Sequence, residues 1–359
     1  MKELIKMIDG IEIPDDNIKK KCIEVWDNMG KPIGSLGQME SLYAQIASIQ
    51  GIINPSLKKR ALVVMCADNG VVTEGVTQTS SDVTAIVAEN FFDYKTATSI
   101  MCKKYNTHME IIDVGMVVDT DRTKSYKCSY GTNNFTKERA IPVENVISTI
   151  KSGITIVKNL KKEGYKLILT GEMGIGNTTT SSAITACILN LEPALVTGKG
   201  AGLSGEGLLK KVDAINRGIK LHFGDYKDVK SGVVDDVIEI LSCVGGYDIC
   251  GMVGLYIGAA IYSLPIIIDG FISAVAALCA YKICDKTLSY MIPSHKSAEA
   301  ASEAIFKELG LKPIIHGDMR LGEGSGAVML LPFLDMAQDL FDNMGTFDDI
   351  GVKQYEKYE

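Results

Sequence analysis

Five short apolar runs, each ending in small or polar residues, constrain the fold of this chain more than any other feature. They are ALVVMC (61–66), HMEIIDVG (108–115), KLILTG (166–171), PIIIDG (265–270) and LSYMIPSH (288–295). Their hydrophobicity is near-continuous rather than alternating, so each strand expects burial on both faces. That is the habit of a parallel sheet covered by helices. Helical patterns lie between the runs, at 81–92, 143–162, 177–190, 205–222, 247–262, 271–284 and 297–309. The alternation predicts an α/β fold built on a doubly wound parallel sheet. Two more helices, 16–29 and 38–49, precede the first strand, one at 325–342 follows the last, and the polar stretch 117–140 reads as an excursion between sheet elements. With 359 residues, 46% of them hydrophobic, the chain has room for a large domain and a small one. We expect a large α/β domain over 56–324 and a small helical domain joining 1–55 to 325–359.

Composition removes several function classes. The net charge is −7 and Lys and Arg are scattered, so no basic stripe invites nucleic acid. Nine cysteines occur without a CxxC pair, which fits reduced core thiols in a cytoplasmic protein. The N-terminus MKELIKMIDGIEIPDD has no apolar core of a signal peptide. The uncharged run 249–268 is about as long as a membrane span needs. Pro265 splits it, however, and GMVG and GAA suit close packing, so it reads as a buried helix, a turn and a buried strand, and no membrane partner is expected. His108, His222, His295 and His316 show no ligand spacing; we expect no metal and no cofactor, and place His295, at a strand end, beside the site.

What each run leads into is the functional signal. The runs end in ADNG, DVG, GEMGIGN, DGF and SHKS. In open α/β sheets the ligand crevice lies outside the carboxyl ends of the strands, so these loops should converge. GEMGIGNTT is neither a P-loop, since no GK[ST] follows, nor a dinucleotide fingerprint, since its spacing is G-x-x-G-x-G. Gly174, Gly176, Asn177 and Thr178 open a helix whose N-terminus favours an anion such as phosphate. Glu172 either accepts from sugar hydroxyls or complements the helix dipole. Lys211, early in the helix after GLSGEG, either reaches the phosphate or is a solvated surface lysine. Glu323, between Gly322 and Gly324 ahead of an apolar helix, is a candidate general base, with a helix N-terminal carboxylate as the alternative.

Taken together, the segments resemble the nicotinate-nucleotide–dimethylbenzimidazole phosphoribosyltransferase family of cobalamin lower-ligand assembly. The matching stretches, in family order, are KPIGSLGQMESLYAQIA (31–47), ADNGVVTEGV (67–76), DVGM (113–116), GEMGIGNTT (171–179), GLSGEGLLKK (202–211), VGGYDICGMVG (244–254), DGFISAVAAL (269–278), SHKSAE (294–299) and MRLGEGSGA (319–327). The resemblance implies a Rossmann-like sheet, a small helical domain made from both termini, and a homodimer. It implies transfer of 5-phosphoribose from nicotinate mononucleotide to an aromatic base, giving an α-riboside phosphate and nicotinate. The family's catalytic carboxylate is the Glu of RLGEG, here Glu323; the Glu of GEMG, here Glu172, also lines its site and is the second catalytic candidate. Ser294 joins the phosphoribose-binding candidates, and Thr79, Val87, Met173 and Leu321 are the base-binding ones. At the positions of Thr79 and Val87 the family often has Ser and Gln; Val87 can neither donate nor accept, so the base pocket should be less polar. Benzimidazoles, purines and phenols are all open as bases. Two rivals stand beside this reading: a nucleotide-dependent oxidoreductase, which lacks its fingerprint here, and a non-catalytic, nucleotide-binding paralogue.

Overall fold

The computed structural model describes residues 1–200 and 202–355; the end of the expected C-terminal segment, 356–359, lies outside them. Six strands form one parallel sheet: β1 (Arg60–Ala67), β2 (His108–Gly115), β3 (Lys124–Ser125), β4 (Leu167–Met173), β5 (Ile266–Ile268) and β6 (Met291–Pro293). Their order across the sheet is β3-β2-β1-β4-β5-β6. The chain therefore winds outward one way from β1 and the other way from β4, and the switch point lies between them.

The near-continuous apolar runs are explained by alternation across two cores. Ala61, Val63 and Met65 of β1 and Ile168 of β4 point into one, with Ile266 and Ile268 of β5. Leu62, Val64 and Cys66, with Leu167, Leu169 and Ile267, point into the other. Every residue of β1 is buried, because it is the central strand. Helices Val143–Lys162, Tyr247–Ile261 and Phe271–Ile283 supply the first core. The second is filled from Asp16–Asn28, Gln38–Gln50 and Leu331–Asn343, where Phe341 packs against Trp26 and Tyr43 with ring centroids 5.1 and 4.7 Å apart. Leu4 and Ile8 of the first helix, Lys2–Asp9, join the core on the opposite face.

The 249–268 run is a helix, a turn and β5, and among the described residues no helix is long and apolar enough to cross a membrane. Its glycines let two helices touch backbone to backbone. A Cβ on Gly254 would lie 2.1 Å from the carbonyl oxygen of Ile150, and one on Gly153 would lie 2.3 Å from that of Gly251.

Three segments differ from the sequence expectation. The helix expected from 297 begins at Ser302. Residues 294–298 instead lie along 315–319, with Lys296 N donating to Ile315 O at 2.9 Å and Ala298 N to Met319 O at 3.0 Å. The terminal helix divides into Ser325–Met329 and Leu331–Asn343. Pro332 has no N–H to give a continuous helix and is tolerated only in a first turn. The run 288–295 keeps only β6 as strand, since Asp285–Tyr290 is a 3-10 turn. Helices Ala97–Lys104 and Val234–Val244 were not anticipated, nor was β3 within the polar excursion.

Candidate active site

The site is assembled at the carboxyl ends of β4, β5 and β6. β4 delivers Glu172, and Gly174 then passes under the end of β1: a Cβ there would lie 2.5 Å from Ala67 O. Gly176, at φ +91, turns the chain into helix Asn177–Leu189. Glu172 and Asp248 are both buried. Asn177 bridges them, its Nδ2 donating to Glu172 Oε2 and, at 2.9 Å, to Asp248 Oδ2. Burial, followed by the Asp248 charge, pushes the Glu172 carboxyl up to about 8, against the Asn177 amide and the Glu323 N–H that it accepts. Burial raises Asp248 to about 6, opposed by Asn177 and the Ile249 N–H. At neutral pH Glu172 therefore holds a proton and Asp248 is largely the charged member, an arrangement that spares two like charges from sharing one buried site.

Across from Glu172 runs the loop that carries Glu323. Gly322, Glu323 and Gly324 are all left-handed, at φ +83, +61 and +86. The loop lies directly on β4, where a Cβ on Gly171 would meet Glu323 O at 2.8 Å. β5 leads into Asp269, whose Oδ1 accepts from Gly326 N at 2.7 Å and Ala327 N at 3.0 Å and whose Oδ2 accepts from Gly324 N at 3.1 Å. Glu323 Oε2 is buried with no hydrogen-bond partner among the described residues. Burial raises its carboxyl above the ordinary carboxylate range, with a smaller push from Asp269; the hydroxyl and amide of Thr98, in the first turn of helix Ala97–Lys104, pull the other way. A partly desolvated carboxyl with a raised pKa and a free oxygen is chemically a proton acceptor awaiting a donor.

The third wall is suited to an anion. Lys211 is 1% exposed, and its Nζ donates to Thr178 Oγ1 at 2.8 Å and to Gly198 O at 3.1 Å. Burial lowers it to about 8, opposed by the Glu299 charge. Thr178 stands in the first turn of its helix, at the positive end of the dipole. These walls enclose a cleft of about 230 Å³, lined by both Glu172 and Glu323 and reaching Thr178 at one end.

The phosphoribosyltransferase family profile matches residues 11–352. The nicotinate-nucleotide–dimethylbenzimidazole phosphoribosyltransferase of Clostridium tetani is 38% identical over 358 residues, covering 99% of this chain and 97% of that one. The enzyme of the same name from Ruminiclostridium cellulolyticum is 41% identical over 354 residues, 98% of each chain. This chain belongs to that phosphoribosyltransferase family. The CobT crystal structure from Thermus thermophilus superimposes with a TM-score of 0.86 at 31% identity, covering 94% of this chain and all of its own. The shared fold is thus the α/β sheet described above.

Against that family frame, the candidates of the sequence are placed unevenly. Glu172, Met173, Gly174, Asn177, Thr178, Leu321 and Glu323 line the one cleft. Gly176 lines a smaller hollow of about 70 Å³ on the other side of the same loop, with Lys199 and Val76 to Gln78. Lys211 stands behind Thr178 rather than on the surface. Ser294 is buried behind the cleft, its Oγ donating to Asp269 O at 3.2 Å. Thr79 is exposed and Val87 half-buried against the second core, and neither is in the cleft wall. His295 lines the cleft as expected, while Asp269, Glu299 and Arg320 line it without having been singled out. DGF at a strand end was a visible signal for Asp269; Thr98, far away in sequence, had none.

Proposed function

We propose that this phosphoribosyltransferase moves 5-phosphoribose from nicotinate mononucleotide to an aromatic lower-ligand base, dimethylbenzimidazole or a related benzimidazole, purine or phenol, and releases nicotinate. The observation that carries the proposal is one cleft with a partnerless carboxyl oxygen on Glu323 at one wall and Thr178, backed by the buried Lys211 ammonium, at another. The Gly174 to Thr178 turn and Lys211 hold the phosphate, and a phosphate dianion beside Nζ favours the charged lysine against the burial that lowers it. The pyridinium leaves as a neutral ring, so no charge accumulates on the leaving group. The base attacks C1′ from the opposite face, inverting β to α, and its departing proton passes to Glu323. General base catalysis of this kind contributes roughly 10²–10⁴ in rate, about 3–5 kcal/mol of barrier. Glu172, protonated and bridged to Asn177, keeps the second wall uncharged beside the sugar. Met173 and Leu321 give the base an apolar bed.

The enzyme is proposed to act as a cytoplasmic homodimer, with helices Asp16–Asn28, Gln38–Gln50 and Leu331–Asn343 as its small domain. Nine free thiols support a reducing compartment. Ile86, Ile100, Leu321 and Met329, between 40% and 56% exposed, support an apolar interface near the cleft. The deciding experiment incubates purified protein and nicotinate mononucleotide with a panel of bases and reads riboside phosphates by mass. Nicotinate release with one or more bases is expected. Binding of the mononucleotide with no product from any base would instead establish a non-catalytic protein.

A further inference from the structure

Asp269 directly follows β5, is 2% exposed and grips the Glu323 loop from beneath. Three consecutive-turn amides converge on its carboxylate, those of Gly324, Gly326 and Ala327, at 2.7 to 3.1 Å. The residue is itself anchored on both sides: its N–H donates to Ser273 Oγ at 3.2 Å and its carbonyl accepts from Ser294 Oγ at 3.2 Å. Glu323 immediately precedes the first clamped amide and stands at φ +61. A non-glycine side chain is disfavoured in that region, and such a conformation persists only where its surroundings over-determine it. Charge-assisted bonds that a buried carboxylate accepts from main-chain N–H groups are among the stronger means of doing so. Although Asp269 reaches the cleft wall, both of its oxygens are already engaged by main-chain donors.

We propose that Asp269 is a positioning residue: it locks Glu323 in the left-handed conformation that presents its carboxyl to the incoming base, without itself touching substrate. The role rests on the proton-acceptor reading of Glu323 given above. In Asp269→Asn one oxygen becomes an NH2, which must face either the Gly324 N–H or the Gly326 and Ala327 pair. A donor then meets a donor, the loop relaxes, and the Glu323 carboxyl drifts from the base while the phosphate end of the cleft is untouched. A misplacement of about 1 Å can cost about 100-fold in rate.

The test is a double-mutant cycle of Asp269→Asn and Glu323→Gln, with kcat and KM for nicotinate mononucleotide measured in all four proteins. Asp269→Asn alone should lower kcat by about 100-fold while KM for the mononucleotide changes by less than about two-fold. In the Glu323→Gln background the same substitution should cost less than about three-fold, because the group it positions is already gone. Equal losses in both backgrounds, or a loss confined to KM, would overturn the role and assign Asp269 to stability or donor binding. If Asp269→Asn does not fold, Asp269→Glu, which keeps the charge but shifts the carboxylate by one methylene, carries the same cycle with the same two outcomes. Wild-type protein that makes no riboside phosphate defeats the phosphoribosyl-transfer reading; active wild type with a multiplicative cycle defeats this inference alone.

Discussion

Glu323→Gln keeps the size of the side chain and removes its basicity. Turnover should fall by roughly 10²–10⁴ with the far-UV circular dichroism unchanged. Because burial raises the Glu323 carboxyl, kcat/KM of the native protein should climb with pH along a limb above the ordinary carboxylate range, and that limb should vanish in the variant. At the anion end, Thr178→Ala and Lys211→Met should raise KM for nicotinate mononucleotide, Lys211→Met more, since it removes the charge as well as the hydrogen bond; unchanged constants in both would place the phosphate elsewhere. Glu172 gives a signature in stability rather than rate. Its carboxyl stands near 8 in the folded chain against 4.5 unperturbed. Between those values the folded state binds the extra proton, so the group's stabilisation is complete below the lower value and lost as pH rises through the higher one. Tm should therefore slope downward from about pH 5 to about pH 8 in the native protein and less steeply in Glu172→Gln, by calorimetric scans across that range. Residue types were legible here: Glu172, Thr178 and Glu323 could be singled out because each lies in a glycine-rich loop at an element boundary. The burial of Lys211, the protonation of Glu172 and the role of Thr98 were not, because they depend on neighbours distant in sequence.

At the scale of elements, helices Val143–Lys162 and Tyr247–Ile261 meet closely enough to exclude a methyl group. Gly153 and Gly254 allow their backbones to meet. Gly254→Ala forces a methyl to within 2.1 Å of the Ile150 carbonyl, which cannot yield without moving a helix. The expected cost is about 1–3 kcal/mol, typical of overpacking, measured by urea unfolding; a neutral result would show that the helices can separate freely. The 249–268 run met the length and neutrality of a membrane span, but GMVG and GAA pointed to close packing instead, and Gly254 is where that packing is made. Most helices were legible from their period. The start of Ser302–Leu309 was not, because 294–298 are drawn into backbone pairing with 315–319, a contact no local pattern encodes.

For the whole molecule, the apolar side chains of Ile86 and Ile100 lie more than half exposed on neighbouring helices of the cleft side. The proposed dimer predicts that the native protein sediments as a dimer and a double Ile86→Asp, Ile100→Asp variant as a monomer; a native monomer would refute the dimer, and a variant dimer would move the interface elsewhere. The position of the site follows from the winding of the sheet. The cleft is lined from the exits of β4, β5 and β6 but from none of β1, β2 or β3, and because all six strands run parallel, every strand-end loop emerges on that one edge. That much was written in the sequence: apolar runs too continuous for a one-faced sheet, helices between them, and polar or glycine-bearing exits, all local properties of short segments. Tertiary structure alone decided which exits meet. Thr79 and Val87, aligned by pattern with a base pocket, stand outside the cleft wall, while Asp269 and Thr98 bear on Glu323. The reason is physical: pattern and propensity act over one or two turns of chain, whereas the charge, protonation and orientation of a buried carboxyl are set by whatever packs within a few ångströms, whichever part of the chain it comes from.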